Sequence, residues 1–229
     1  MPRIISSLRL LFLLAASALG LASIEVRAEA AGKSVDLLQD KNLAAWEYVV
    51  TPATNITAVC TFKDDGVLAV AGKPIGYLAT VATYKNYRLH VEWRWPADAV
   101  KNSNSGVLLH IVGGPVNGTQ WPVCFQVQTK LTRAGDLLPM GGDAKFAEKL
   151  STPPGARTPQ LDRQQPSSEK PLGEWNACDI VCRDGAVDVT VNGVHQNHVT
   201  GCVPAAGRIG FQLEGMPYEL RNVRIEPLD

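Results

Sequence analysis

Tyr87-Arg88-Leu89-His90-Val91-Glu92-Trp93-Arg94-Trp95 decides the fold class: each odd position is apolar, each even position is polar, and Pro96 ends the run. Successive side chains of an extended chain point to opposite faces, so this pattern builds a strand with one face in a core and the other open. The same period of two recurs at 106–112, 123–129, 177–182, 186–191, 207–213 and 219–225. Arg183-Asp184-Gly185 and Val191-Asn192-Gly193 supply tight turns, since Asp-Gly and Asn-Gly tolerate the positive φ that two-residue hairpins demand. Helical periodicity is weak, with one or two turns expected at 143–150 and another at 40–46. Many short antiparallel strands at regular spacing predict an all-β protein, an antiparallel β-sandwich of jelly-roll type.

The 229 residues carry 22 Lys and Arg against 22 Asp and Glu, with 45% apolar and 19% charged side chains. Zero net charge excludes the electrostatic footprint of a nucleic-acid binder, and the apolar share excludes a disordered or fibrous chain. Residues 1–28 read as a secretory signal peptide. Arg3 and Arg9 precede an uncharged apolar run at 10–21, and Val26-Arg27-Ala28 offers a small-residue cleavage site. The run is about 12 residues long, short of the roughly 20 that a spanning helix needs. Removing Arg3, Arg9, Arg27 and Glu25 leaves 19 basic against 21 acidic side chains, a mildly acidic mature chain. An exported protein, periplasmic or secreted, with no further membrane span is expected. The stretch 151–171, rich in Pro, Ser and Gln, reads as a surface excursion because strands of one pattern flank it. Residues 29–229 are read as a single domain.

Strand parity sorts the polar residues. Glu92 and Arg94 oppose Val91, Trp93 and Trp95, while Leu108 and His110 oppose Val107, Leu109 and Ile111. Gln126 and Gln128 oppose Phe125 and Val127, and Gln212 and Glu214 oppose Ile209, Phe211 and Leu213. Asn222 and Arg224 oppose Val223 and Ile225, whereas Arg221 falls on the apolar parity. Amides, carboxylates, a guanidinium and an imidazole beside Trp residues match a sugar ring. Its hydroxyls take paired donors and acceptors, and its C–H faces take aromatic surface. The plainer reading is a solvated sheet face. Trp121, beside Pro122 in a loop, is the best aromatic platform.

Other chemistry finds little footing. His195 and His198 lie in or after a hairpin rather than at ligand spacing on a helix, and Asp64-Asp65-Gly66 lacks the further ligands of a calcium loop. No metal site and no cofactor is indicated. The sequence contains no G-x-S-x-G, P-loop or G-x-G-x-x-G motif. Cys60, Cys124, Cys178, Cys182 and Cys202 would meet an oxidising compartment after export. Buried thiols with one disulfide at most are expected, and the odd count leaves at least one free.

Asn104-Ser105-Gly106-Val107, Gly135-Asp136 with Gly141-Gly142, Glu169-Lys170-Pro171-Leu172-Gly173-Glu174-Trp175-Asn176, Val191-Asn192-Gly193, and Gln212-Leu213-Glu214-Gly215 followed by Glu219-Leu220-Arg221-Asn222 occur in this order. With residues 37–46 they make the chain resemble the 3-keto-disaccharide hydrolase family, also known as the domain of unknown function 1080, over about residues 35–227. The resemblance implies a concanavalin-A-like jelly roll and action on oxidised glycosides in bacterial export compartments. One position departs: relatives typically carry Glu where this chain has Gln126, and an amide cannot serve as acid or base.

A carbonyl at C3 of a sugar acidifies the C2 proton, so the glycosidic bond can leave by elimination, with hydration following. That route needs a base near C2, donors to the enolate oxygen and an acid for the leaving oxygen. The candidates for acid or base are Glu214, Glu92 and His110. Arg94, Asn104, Trp121, Gln126, Gln128, Gln212 and Arg221 are the candidates for binding the sugar. Direct hydrolysis by Glu92 and Glu214 as a carboxylate pair is the other route. A glycoside, oxidised or ordinary, is the expected ligand. The alternative, favoured by Gln126, is a non-catalytic carbohydrate-binding module.

Overall fold

A computed structural model describes residues 32–116, 118–146, 149–156 and 158–229. The expected signal peptide lies outside the described residues. The strands are β1 (Val35–Asp36), β2 (Trp46–Val49), β3 (Cys60–Phe62), β4 (Leu68–Val70), β5 (Gly76–Thr80), β6 (Tyr87–Arg94), β7 (Gly106–Gly113), β8 (Val123–Gln128), β9 (Leu137–Met140), β10 (Asp143–Phe146), β11 (Asn176–Arg183), β12 (Ala186–Val191), β13 (Val194–Val203), β14 (Arg208–Leu213) and β15 (Tyr218–Pro227). One sheet has nine strands in the order β10-β13-β12-β11-β6-β15-β4-β3, with β1 added against β15; the other has six, β2-β5-β14-β7-β8-β9. Strands distant in sequence lie side by side, β6 between β11 and β15 and β14 between β5 and β7, as in an antiparallel jelly roll.

β6 is the strand that alternation predicts, with Tyr87, Leu89, Val91 and Trp93 buried and the even positions more open. Its apolar face meets Val107, Leu109, Phe125, Val127, Ile209, Phe211 and Leu213 from the six-stranded sheet, forming one core between the two layers. Trp93 is 1% exposed, so truncating it to Ala would cost about 3–5 kcal/mol. Both predicted hairpins form. Asp184 and Gly185 (φ 48° and 76°) join β11 to β12, and Asn192 and Gly193 (φ 48° and 80°) join β12 to β13.

Both helical expectations fail. Residues 143–146 form β10, because the edge of β13 offers a ladder (Asp143 opposite Val203, Phe146 opposite Val199) that outweighs a weak helical period. At 40–46 the Asp40 carboxylate accepts from the backbone N–H of Asn42 and Ala44 at 2.9 and 3.0 Å, folding turns instead of a helix before β2. The excursion at 151–171 is pinned by Leu161, which is buried and bridges to Leu137 of β9. No helix among the described residues is long and apolar enough to cross a membrane.

Candidate functional site

The polar-parity residues divide between two surfaces. Both sheets turn their apolar parity to the shared core, so their polar parities face opposite sides of the sandwich. Gln126, Gln128, Gln212, Glu214, Asn104 and Trp121 belong to the six-stranded side. Glu92, Arg94 and Arg221 belong to the nine-stranded side. Glu92 and Glu214 therefore make no carboxylate pair, and the hydrolysis route that needs both loses its geometry.

On the six-stranded side, antiparallel register sets Gly106 of β7 beside Gln128 of β8, and Gln126 between Leu108 and Leu138. Gln126 lies at the centre of an amide trio: its Nε2 donates to Gln128 Oε1 at 3.0 Å and to Gln212 Oε1 at 2.8 Å. Ser105 Oγ and Tyr218 Oη donate to the Gln212 carbonyl at 2.7 and 3.0 Å, fixing the backbone beneath it. Just past the end of β14, Glu214 Oε2 accepts from Asn104 Nδ2 at 2.6 Å. Burial raises the Glu214 carboxyl above the usual carboxylate range, and Lys130 pulls it partly back. Asn104 Oδ1 is sealed from solvent and has no partner. Beyond the amides the same face becomes apolar, with Tyr77, Ala79, Leu108, Ile111, Cys124, Leu138 and Met140 clustered and Trp121 and Val116 packed on them. A cavity of about 570 Å³ opens at that end, lined among others by Tyr77, Ile111, Gly207 and Arg208.

On the nine-stranded side the charges satisfy one another. Glu92 accepts from Arg221 Nε at 2.6 Å and from Asn222 Nδ2 at 2.7 Å. Burial alone would raise its carboxyl, but those two donors hold it below the ordinary range. Arg94 and Lys63 both pair with Glu219. The Arg94 and Arg221 guanidiniums stand 4.7 and 4.1 Å from the Trp175 ring, a role that strand packing alone did not suggest for that residue. A cavity of about 420 Å³ adjoins this network, lined by Lys63, Arg94, Glu219 and several alanines. Its ionic groups are committed to each other, whereas among the described residues no hydrogen bond engages the Nε2 atoms of Gln128 and Gln212.

Two β-bulges account for the misread parities. His110 has φ 57°, and the β7–β14 register shifts around it, between Arg208 and Gly210. The extra residue reverses parity, so Ile111 joins the outer apolar cluster and His110 turns inward. Its ring packs edge-on to Tyr87 at 5.8 Å, with Nδ1 donating to the Pro204 carbonyl at 3.2 Å. Burial pulls its pKa down to about 4, the Pro204 bond opposing. His110 is therefore corrected from a surface acid or base to a neutral interior ring. The second bulge, at Asn222 (φ 49°), brings Arg221 and Asn222 together onto the outer face toward Glu92.

His195 and His198 converge on a single Asp188 oxygen, at 3.3 and 2.8 Å. Among the described residues no group of three or more His, Cys, Asp or Glu is placed to hold a metal ion. All five cysteines are buried and free.

Residues 33–226 match the family described as the 3-keto-alpha-glucoside-1,2-lyase-like domain. No curated protein matches the chain. Among solved structures, a glycosyl hydrolase candidate from Parabacteroides distasonis is 19% identical, with a TM-score of 0.61 over 86% of this chain and 94% of that one. A second candidate from the same organism is 21% identical, with a TM-score of 0.58 over 86% and 100%. A β-glucanase from Bacillus licheniformis is 13% identical, with a TM-score of 0.52 over 86% and 99%. At such identities these likenesses establish the fold, a concanavalin-like jelly roll.

Proposed function

The chain belongs to the 3-keto-α-glucoside-1,2-lyase-like domain family, and we propose that it cleaves the glycosidic bond of 3-keto-glycosides on the outer face of its six-stranded sheet. The observation that carries this reading is the placement of one raised-pKa carboxyl, Glu214, beside a row of amide donors and an apolar patch. Glu214 takes the C2 proton as the C1–O bond breaks and a C1=C2 double bond forms. The same carboxyl, now protonated, returns the proton to the departing glycosidic oxygen. Gln128 and Gln212 donate to the C3 oxygen as it gains enolate charge. Water then adds across the double bond. Trp121 and its apolar neighbours cover the C–H face of the sugar or its aglycone. Arg94, Arg221, Glu92 and His110 have no part in this step. Export to the periplasm or the medium, with residues 29–229 acting as one domain, belongs to the same proposal and rests on the signal-peptide pattern of residues 1–28.

Glu214→Gln tests the assignment. Turnover of a chromogenic 3-keto-glucoside should fall at least about 100-fold, the scale of general acid–base catalysis, with the circular dichroism spectrum unchanged. Undiminished turnover would remove Glu214 from the mechanism. The second reading, a carbohydrate-binding module without turnover, is favoured by the amide at the hub of the trio, and it predicts saturable binding without product.

A further inference from the structure

We propose that the nine-stranded sheet carries a second binding site, the cavity beside Lys63, Arg94 and Glu219, which takes a free aliphatic monocarboxylate of medium chain length. It lies on the face opposite Glu214 and stands apart from the saccharide reading above.

Strand register builds the cavity. Thr61 of β3, Ala69 of β4, Glu219 of β15 and Arg94 of β6 pair in turn, forming one row across four strands, about 14 Å wide. Leu68, Val70, Leu220 and Trp93 beside them are buried in the core, so the row faces outward. Two residues along the same chains stand Ala71, Pro217 and Pro96, and Ala97 adjoins them. Small side chains in the middle of the face leave a cavity of about 420 Å³, a size common for small-molecule sites. One margin of it is ionic and the other is aliphatic.

The ionic margin is one negative charge short. Lys63 and Arg94 both donate to Glu219, on different oxygens. Burial alone would raise the Glu219 carboxyl, but the two cations hold it below the ordinary range, so it stays ionised. Two positive charges therefore share one carboxylate. The neighbouring Arg221–Glu92 pair is balanced and does not cancel the excess. Arg94 gives Glu219 its Nε proton, and among the described residues no hydrogen bond engages its Nη atoms. Stacking on Trp175 occupies the face of the guanidinium and leaves its N–H groups unspent. Lys63 spends one of three ammonium protons on Glu219 and is half-exposed. A bound carboxylate supplies the missing charge, and its acyl chain covers the alanines and prolines. A sugar ring fits less well. Trp95 and Tyr218, the aromatic residues that line the cavity, are 2% and 3% exposed, so neither opens a ring face to it.

Calorimetric titration of the purified protein with octanoate should show saturable binding at one site per chain. Octanamide keeps the tail without the charge, and acetate keeps the charge without the tail. Each should bind at least about tenfold more weakly, the scale of a lost charge-assisted contact or of a few buried methylenes. Lys63→Met abolishes the charge excess, and Ala71→Leu fills the aliphatic margin without touching an ionic group. Either variant should weaken octanoate about tenfold or more. No saturable octanoate binding would overturn the site. Octanamide binding as tightly as octanoate would overturn the recognition of charge, and unaltered affinity in Ala71→Leu would overturn the placement. Displacement of octanoate by a glucoside would make this a sugar site and overturn the ligand class. None of these readouts depends on turnover at Glu214.

Discussion

Glu214 is more readily protonated in the folded chain than in the unfolded one, because burial raises its carboxyl and Lys130 only partly compensates. Such a group favours folding below its ordinary pKa, and that contribution is lost as pH rises through the raised value. At pH 7 the ionised carboxylate therefore costs stability. Glu214→Gln is expected to unfold at higher denaturant than the wild type at pH 7, with the gain gone near pH 4; equal midpoints at pH 7 would contradict the raised carboxyl. His110 has the opposite sign. Its pKa lies at about 4 in the folded chain, against about 6.5 unfolded, so the stability it confers is present above the unfolded value and lost as pH falls from 6.5 through 4. The loss through this one ring is on the order of 2–3 kcal/mol. His110→Asn, which suits the positive φ and does not titrate, should flatten that limb of the pH–stability curve. An unchanged acid limb would mean that the interior placement of the ring is wrong.

At the scale of the strand, the two bulges decide which side chains meet. Asn222→Ala keeps the chain length but places Ala at φ 49° and removes a donor to Glu92. It should cost about 1–2 kcal/mol by equilibrium denaturation, with turnover of a 3-keto-glucoside unchanged because Glu92 faces away from the six-stranded sheet. A tenfold fall in turnover with the fold intact would put the site on the other sheet. β6 and the hairpins at Asp184-Gly185 and Asn192-Gly193 were legible in the sequence, because alternation and positive-φ turn chemistry are local properties. The bulge at Asn222 left a trace: Arg221 stands on the apolar parity, and an extra residue is what returns it to the surface. The bulge at His110 left none, since Ile111 suits either face of its sheet. Parity reveals inside from outside but not which of two outer faces a residue occupies, so Glu92 and Glu214 looked like neighbours. β10 was illegible because the residues of β13 that it pairs with are more than fifty positions away in sequence.

The whole molecule is a sandwich with two unlike outer surfaces. The nine-stranded face pairs its charges internally, and the six-stranded face combines an amide trio, the Glu214 carboxyl and an apolar patch. Between and beside them the five thiols are all buried, and burial raises each one's pKa, leaving little reactive thiolate. A thiol reagent should label essentially none of them in the native protein and all five after unfolding without reductant. Only three labelled on unfolding would reveal a disulfide. The division of the surfaces has its most direct test in turnover by the purified protein, incubated with a chromogenic 3-keto-glucoside and, separately, with the parent glucoside. Aglycone release from the keto form alone is the result expected of elimination at Glu214. Equal release from both sugars, or saturable binding of the keto sugar with no release, would contradict it.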